Sequence, residues 1–253
     1  MKKHISVISF LFIGFACVAE PVKSMLGSDG IEFNSDEWMP TAADYVQEGL
    51  VAMWDGIENI GYGQHDDDAT TWVDLTGNGY NLPCAAGSVY ENAVRYSSSY
   101  QVTYDSSPID GHAMTLQAVI DRSETTGNFC ILGFGYASLR VFVGGMTSYG
   151  CRFGGRNYSW GRIDGIRNSI TMARGESILY FDLYDGEKFV TTLNAFPGEG
   201  ADVEQPKLNI NGENAYGNYR NVFSANCIRL YNRELTEKEI KYNYLIDKMR
   251  FGL

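Results

Sequence analysis

Basic residues are scarce in this 253-residue chain, because 20 Lys and Arg stand against 31 Asp and Glu for a net charge of -11. A protein that binds duplex nucleic acid would need a strong local basic patch to overcome that charge, and the sequence contains no such patch. We therefore exclude nucleic acid as a partner. The chain also lacks a Cys-x-x-Cys pair and a Gly-x-Ser-x-Gly elbow, the usual signals of a zinc site and of one hydrolase class.

Long apolar runs are absent after the N-terminus. Lys2 and Lys3 precede an apolar run over residues 5–16, and small residues at 17–19 precede Glu20. This pattern predicts a signal peptide over residues 1–19, because the run is shorter than the roughly 20 residues that span a membrane. We expect a secreted, extracellular or periplasmic protein without a transmembrane segment. Lipid anchoring at Cys17 is an alternative that would tether the chain to a bacterial surface.

Few cysteines remain after the signal peptide, and all four lie in the predicted folded part: Cys84, Cys130, Cys151 and Cys227. An oxidising compartment permits disulfides, and four cysteines allow three connectivities. Small buried thiols are the other interpretation.

The sequence favours strands over long helices. Tyrosine and phenylalanine, which favour strands, number 17 and 13, glycine, which is costly inside helices, numbers 28, and 44% of the residues are hydrophobic. This composition favours an all-β fold with a sizeable core in one domain. Residues 20–48 are acidic and turn-rich, which predicts a linker or N-terminal extension before a folded domain over residues 49–253.

Local patterns predict several strands and one helix. Asp185-Gly186 separates two strand-like runs, which is the dipeptide that a two-residue hairpin turn prefers. Met114, Leu116, Ala118 and Ile120 share one side of a period-2 alternation, with Thr115 and Gln117 on the other side, which is typical of a strand. Near the end of the chain, Thr236 and Glu239 form a capping box for a helix over residues 237–249.

Two segments resemble a known family. Gly49-Leu50-Val51-Ala52-Met53-Trp54, followed by Trp72-Val73-Asp74-Leu75-Thr76-Gly77-Asn78-Gly79, is similar to the opening of concanavalin A-like, laminin-G-like jelly-roll domains. Ile228-Arg229-Leu230-Tyr231-Asn232-Arg233, with the helix that follows, is similar to their ending. The resemblance implies a two-sheet antiparallel β-sandwich, or jelly roll, with one short C-terminal helix.

The resemblance does not imply one activity, since this fold hosts lectins, carbohydrate-binding modules, glycan hydrolases and adhesion domains. Hydrolase relatives carry a Glu-x-Asp strand motif that places two carboxylates on one face, and this sequence has no Glu-x-Asp. We therefore expect a non-catalytic, lectin-like module that binds carbohydrate. The alternatives are a structural or adhesion protein that binds another surface protein, and a glycan hydrolase with atypical carboxylates.

Residues 149–168 are the best candidate for the ligand site. They combine aromatic and basic side chains with glycines in an otherwise acidic chain, as expected of a loop that stacks on sugar rings and bonds their hydroxyls. The candidate ligand-binding residues are Arg152, Arg156, Asn157, Tyr158, Trp160 and Arg162.

A second acidic segment is a candidate cation site. Asp66, Asp67 and Asp68 precede Trp72, and Ca²⁺ takes six to eight oxygen ligands in proteins. The run lacks EF-hand spacing, so a solvated acidic loop is the competing interpretation. We expect Asp74 and Asn78 to hydrogen-bond the turn that contains them.

Overall fold

The computed structural model describes residues 39–253 except for 91, 106–107, 110–112, 135–136, 143–147, 154–155, 163–164, 176–179, 195–206 and 212–220. The predicted signal peptide, Cys17 and residues 20–38 of the predicted linker lie outside this part. Within it, no helix is long and apolar enough to cross a membrane.

Antiparallel strands make up most of the described fold, as the composition predicts. They are β1 (Leu50–Asp55), β2 (Thr71–Trp72), β3 (Leu82–Pro83), β4 (Val89–Tyr90), β5 (Ala93–Tyr96), β6 (Tyr100–Thr103), β7 (Met114–Asp121), β8 (Phe129–Phe134), β9 (Ala137–Phe142), β10 (Ser148–Phe153), β11 (Arg156–Arg162), β12 (Arg167–Arg174), β13 (Tyr180–Asp185), β14 (Lys188–Asn194), β15 (Lys207–Ile210) and β16 (Phe223–Tyr231). A 3-10 helix (Ala42–Asp44) precedes them, and helix α1 (Glu237–Phe251) follows them.

The strands form two larger sheets and one small ladder. The eight-stranded sheet has the order β14-β13-β12-β7-β16-β5-β4, with β1 also paired to β16. The six-stranded sheet has the order β11-β10-β9-β8-β15-β6, and β2 pairs with β3. Strand β16 is central because β7 pairs along one side of it, while β1 and β5 share the other side.

The predicted hairpin at Asp185-Gly186 is confirmed, with β13 and β14 on either side of it. Gly186 has a φ of +63°, a conformation that side chains disfavour. A Cβ atom there would also lie 2.8 Å from the ring of Tyr244 on α1, so the turn requires glycine for a second reason.

One hydrophobic cluster receives side chains from both larger sheets. The apolar residues of β7, such as Leu116 and Ile120, are fully buried in it, as the alternation predicts. Phe129 and Leu208 of the six-stranded sheet belong to the same cluster. This cluster also contains Trp54, whose indole Nε1 donates a hydrogen bond to the carbonyl of Tyr80 at 2.8 Å.

The other face of the eight-stranded sheet is covered by α1 and by residues 40–48, which we call the N-terminal strap. The compact unit begins at Pro40, before the predicted domain start at residue 49. Ala42 and Tyr45 of the strap are buried in a second apolar cluster with Val119 of β7 and Ile246 of α1. This part of the predicted linker is therefore packed against the fold.

Helix α1 begins as the sequence predicts. Thr236 Oγ1 accepts from the Glu239 amide at 3.4 Å, and Glu239 Oε2 accepts from the Thr236 amide at 2.8 Å. Glu239 also forms an ion pair with Arg233. Hydrogen bonding from Arg233 lowers the pKa of Glu239 to about 2 from an ordinary 4.5, although partial burial opposes the shift.

The depressed pKa of Glu239 predicts a specific loss of stability in acid. A carboxylate with a lowered folded pKa stabilises the protein above its unfolded pKa, and this contribution is lost as the pH falls from about 4.5 towards about 2. Glu239→Gln keeps a side-chain acceptor for the Thr236 amide but loses the charge that pairs with Arg233, so it should cost about 1 kcal/mol at neutral pH. The difference from wild type should disappear near pH 2 in urea unfolding followed by circular dichroism.

The control for this prediction is Glu237→Gln, which removes the same charge from the same helical turn. Glu237 pairs with Lys241 through an exposed i,i+4 contact at 2.9 Å, which contributes little. An equal, pH-dependent loss in both variants would contradict the role of the ion pair between Arg233 and Glu239.

Two of the four predicted domain cysteines are buried free thiols. Cys84 Sγ donates to the carbonyl of Ala69 at 3.4 Å, and Cys227 lies under α1. Burial raises the pKa of both thiols. The buried-thiol interpretation is therefore correct for these two residues.

Candidate functional site

The predicted ligand segment forms a β-hairpin where the sequence suggested a loop. Strands β10 and β11 pair antiparallel and are the last two strands at one edge of the six-stranded sheet. The loop expectation was wrong, because Gly150 and Gly161 lie within the paired strands β10 and β11. On its other side β10 pairs with β9, which continues the sheet.

The hairpin brings all six predicted ligand residues onto two adjacent strands. Arg152 is the direct partner of Asn157, and its neighbour Cys151 is the partner of Tyr158. Trp160 pairs with Tyr149. The remaining pairs are Phe153 with Arg156, Gly150 with Ser159 and Ser148 with Arg162. These are backbone positions, and they concentrate the aromatic and basic residues within one strand pair.

The end of the predicted segment has a structural role. Arg167, at the start of β12, contacts Asp121 of β7 at 3.1 Å and donates to the Phe251 carbonyl at 2.9 Å. It therefore joins the eight-stranded sheet to the C-terminal end of α1. The adjacent Ile166 is 58% exposed.

The acidic segment at residues 66–68 is an ordered, exposed loop. Asn59 fixes it, since its amide donates to the Asp66 carbonyl at 2.8 Å and accepts from the Asp66 amide at 2.9 Å. Asp66 Oδ1 accepts from the Asp68 amide, and Asp67 contacts His65 Nε2 at 3.0 Å. Among the described residues, no group of three or more His, Cys, Asp or Glu side chains could hold a metal ion. Calcium binding here stays a prediction.

Asp74 organises its turn as the sequence predicts. The two carboxylate oxygens accept from the amides of Met53, Thr76 and Tyr80 and from the Thr76 hydroxyl, at 2.8 to 3.1 Å. Asn78 Nδ2 donates to the carbonyl of Val51 at 3.0 Å. The first family-like motif therefore fixes a turn against β1.

The sequence did not predict a buried cluster of charged residues that lies under α1. Arg229 of β16 donates to both oxygens of Asp247, at 2.6 and 2.8 Å, and both side chains are fully buried. Asp247 also accepts from the hydroxyls of Tyr45 and Ser169, each at 2.9 Å. The Arg229 guanidinium lies 3.9 Å from the centre of the Tyr45 ring. Arg229 was part of the family-like ending, but no sequence signal identified Asp247 as its partner.

A second group of ion pairs connects α1 to the end of β1 and the loop that follows it. Arg250 contacts Asp55 at 2.7 Å and Glu58 at 3.0 Å. Glu58 also accepts from the amides of Ala42 and Gly63. These hydrogen bonds outweigh burial and lower the pKa of Glu58. Both groups are sealed by the strap and α1, so their carboxylates hold the fold together and do not face a ligand.

Comparisons with known proteins find similarity in structure alone. No family model matches the chain, and no curated protein matches its sequence. A Trypanosoma rangeli sialidase in complex with sialic acid matches with a TM-score of 0.61 and 15% identity, over 90% of this chain and 36% of that chain. The botulinum neurotoxin serotype D binding domain matches with a TM-score of 0.54 and 12% identity, over 78% and 51%.

The likeness is one of fold. The chain spans about a third of the sialidase and about half of the toxin binding domain. At these identities the comparisons show a similar β-rich fold alone, and the activities of the whole proteins are not transferred to this chain.

Proposed function

We propose that this chain is a secreted or surface-tethered, non-catalytic carbohydrate-binding module whose ligand contacts the β10–β11 hairpin. The observation that carries the proposal is the pairing in that hairpin, which places Arg152 opposite Asn157 on one face of the sheet and Tyr149 opposite Trp160 on the other. The export signal predicted for residues 1–19 would bring the module into contact with extracellular glycans.

The proposed architecture is a two-sheet jelly roll. Its support is the shared hydrophobic cluster, in which Ile120 and Leu230 of one sheet lie with Phe129 and Ile210 of the other. In a sandwich of this kind, residues of two inner faces interdigitate to form one core. The sheet edges and the outer face of the six-stranded sheet then remain for ligand contact.

The chemistry of the hairpin suits sugars. Aromatic rings can stack on the apolar CH faces of a pyranose, and amide and guanidinium groups can bond its hydroxyls. Arginine also binds carboxylates through two parallel hydrogen bonds, so acidic sugars are within its range. The structural neighbours support this class of ligand, since one is a sialidase in complex with sialic acid.

The test is a glycan array that contains neutral and sialylated glycans, probed with wild type, Arg152→Ala and Trp160→Ala. We expect wild type to bind at least one glycan, and at least one variant to lose about tenfold or more in affinity. The array should be repeated with calcium and with EDTA, because calcium at Asp66, Asp67 and Asp68 remains part of the proposal.

Matched controls are available on the eight-stranded sheet. Tyr90 is 49% exposed, and the side chain of Arg95 is 34% exposed, so Tyr90→Ala and Arg95→Ala remove an aromatic and a basic side chain elsewhere. Equal losses in controls and hairpin variants would contradict the assignment to the hairpin. Binding to no glycan would overturn the proposed function and favour a protein partner.

Glycan hydrolysis is the second candidate, because sialidases are among the structural neighbours. Incubation of the protein with a sialylated oligosaccharide, followed by assay for free sialic acid, distinguishes it. Release of sialic acid at a rate above background would show that the protein is an enzyme and would contradict the proposed non-catalytic function.

A further inference from the structure

The turn between β2 and β3 contains one of the two Asn-Gly pairs of the chain, Asn78-Gly79, and the other pair is Asn211-Gly212. Glycine has no side chain that shields its backbone nitrogen from the side chain of the preceding residue. In an Asn-Gly pair this nitrogen can attack the asparagine amide and release ammonia. The reactivity of each pair in the folded protein then depends on its surroundings, which the structure describes for both asparagines.

The first pair lies in an open turn. Asn78 and Gly79 are both exposed, as is Gly77 before them. Gly79 has a φ of +84°, and a Cβ atom added to it or to Gly77 would meet no atom within 4 Å. Solvent therefore has access to the backbone and to the side chain that would react.

The nucleophile in this pair is the backbone nitrogen of Gly79. The amides on either side of it are engaged, because Gly77 donates to the Asp74 carbonyl at 3.2 Å and Tyr80 donates to Asp74 Oδ2 at 3.1 Å. The Gly79 amide has no hydrogen-bond partner among the residues that the structure describes. It can therefore lose its proton to solvent hydroxide without breaking a bond within the protein.

The electrophile is the side-chain amide of Asn78. Its Nδ2 donates to the Val51 carbonyl at 3.0 Å, and the Thr76 hydroxyl donates to the same carbonyl at 3.2 Å. The carbonyl thus keeps a donor when the Asn78 amide turns away, so the cost is that of one exposed hydrogen bond, which is small. The side chain can reach Gly79 without unfolding of the turn.

Asn211 is held in the opposite way. It is fully buried, its Nδ2 donates to the Ser98 carbonyl at 3.4 Å, and its Oδ1 accepts from the Asn221 amide at 3.1 Å. Both ends of its amide are engaged, so it can react only after the surrounding segment opens, which costs free energy. The chain therefore contains the same dipeptide in an open and in a closed environment.

We propose that Asn78 is a modification site, at which the folded protein deamidates spontaneously. Hydroxide removes the amide proton of Gly79, the nitrogen forms a bond to Asn78 Cγ, and the bond from Cγ to Nδ2 breaks, so that ammonia leaves with a proton taken from water. The product is a cyclic succinimide. Addition of water to one of its two carbonyl carbons then gives aspartate or isoaspartate.

The isoaspartate product would disturb the turn where it meets the core. Its main chain passes through the former side chain, which adds one backbone atom before Gly79 and displaces Tyr80. The Tyr80 amide donates to Asp74, and the Tyr80 carbonyl accepts from the Trp54 indole at 2.8 Å. The product also replaces the amide that donates to the Val51 carbonyl by a carboxylate in the same turn as Asp74. Deamidation at this site should therefore destabilise the fold.

The experiment follows both Asn-Gly pairs in one sample. The purified protein is incubated in neutral and in mildly alkaline buffer, digested at acid pH, and analysed by chromatography and mass spectrometry that separate aspartyl from isoaspartyl peptides. We expect Asn78 to convert at least about tenfold faster than Asn211, because the buried asparagine must wait for local opening. Alkaline buffer should accelerate the reaction of Asn78. In concentrated urea the two rates should become similar.

Asn78→Gln is the matched variant, since glutamine would have to close a larger ring and should gain no acid at this position. The isoaspartate fraction of aged wild type should unfold at a temperature lower by about 2–4 °C, as expected for the loss of about one hydrogen bond in a protein of this size. Aged Asn78→Gln should unfold at the same temperature as the fresh variant. Asn78→Asp should lose less than the isoaspartate fraction, because its main chain keeps its length.

Two results would overturn the inference. One is an equal rate at Asn78 and Asn211 in the folded protein, and the other is an Asn78 that reacts in urea but stays intact without it. An isoaspartate fraction as stable as fresh wild type would contradict the coupling of the turn to Tyr80 and Trp54. These outcomes are independent of carbohydrate binding, which the glycan array tests.

Discussion

Replacing Asp247 by alanine is expected to destabilise the protein by about 3–5 kcal/mol, the usual cost of leaving a buried charge without its partner. Arg229 would lose both hydrogen bonds to the carboxylate while remaining fully buried beneath α1. The hydroxyls of Tyr45 and Ser169 would lose the same acceptor. Urea unfolding at neutral pH, followed by tryptophan fluorescence, measures the change.

The paired control tests whether charge, not volume, is the cause. Replacement of a buried ion pair by apolar residues of similar size is often neutral, so Arg229→Met combined with Asp247→Leu should be less damaging than Asp247→Ala alone. Asp67→Ala removes a carboxylate whose side chain is 75% exposed and should change stability by less than about 0.5 kcal/mol. A double variant as unstable as Asp247→Ala would contradict the charge argument.

Removal of the Trp54 side chain should have an effect of similar size. Trp54 is fully buried in the cluster shared by the two larger sheets, and Trp→Ala substitutions in cores cost about 3–5 kcal/mol. The loss combines a cavity with an unsatisfied carbonyl at Tyr80. The free energy of unfolding from urea denaturation, followed by circular dichroism, tests this value.

Two further variants separate the contributions of hydrogen bonding and burial to the loss of stability in Trp54→Ala. Trp54→Phe retains an aromatic ring but loses the indole donor, so we expect about 1–2 kcal/mol. Tyr90→Ala removes an aromatic ring that is 49% exposed and should change stability by less than about 0.5 kcal/mol. A Trp54→Ala variant as stable as Tyr90→Ala would show that the two sheets do not depend on a common core.

Features encoded by nearby residues were predictable from the sequence. The Asp185-Gly186 turn, the Thr236–Glu239 capping box and the Asp74 turn each depend on residues that are close along the chain. The Asp74 turn also receives one amide from Met53, 21 residues away. In these cases residue type sets backbone conformation and hydrogen bonding with little help from the rest of the fold.

Features that depend on distant partners were not predictable. Tyr45 and Asp247 are 202 residues apart, so no local pattern could identify the strap as part of the fold. The same reason applies to the candidate site. The composition of residues 149–168 is unusual, but pairing with β9 and β8 determines which face of the hairpin is directed to the core.

The position of β16 has a consequence for biosynthesis. Strand β16 pairs with β1, β5 and β7. These three strands are synthesised earlier, but they can pair with β16 only when the end of the chain has been made. Contacts of such long sequence separation form slowly, because loop closure must precede them. The eight-stranded sheet is therefore complete only after nearly all of the polypeptide has been made.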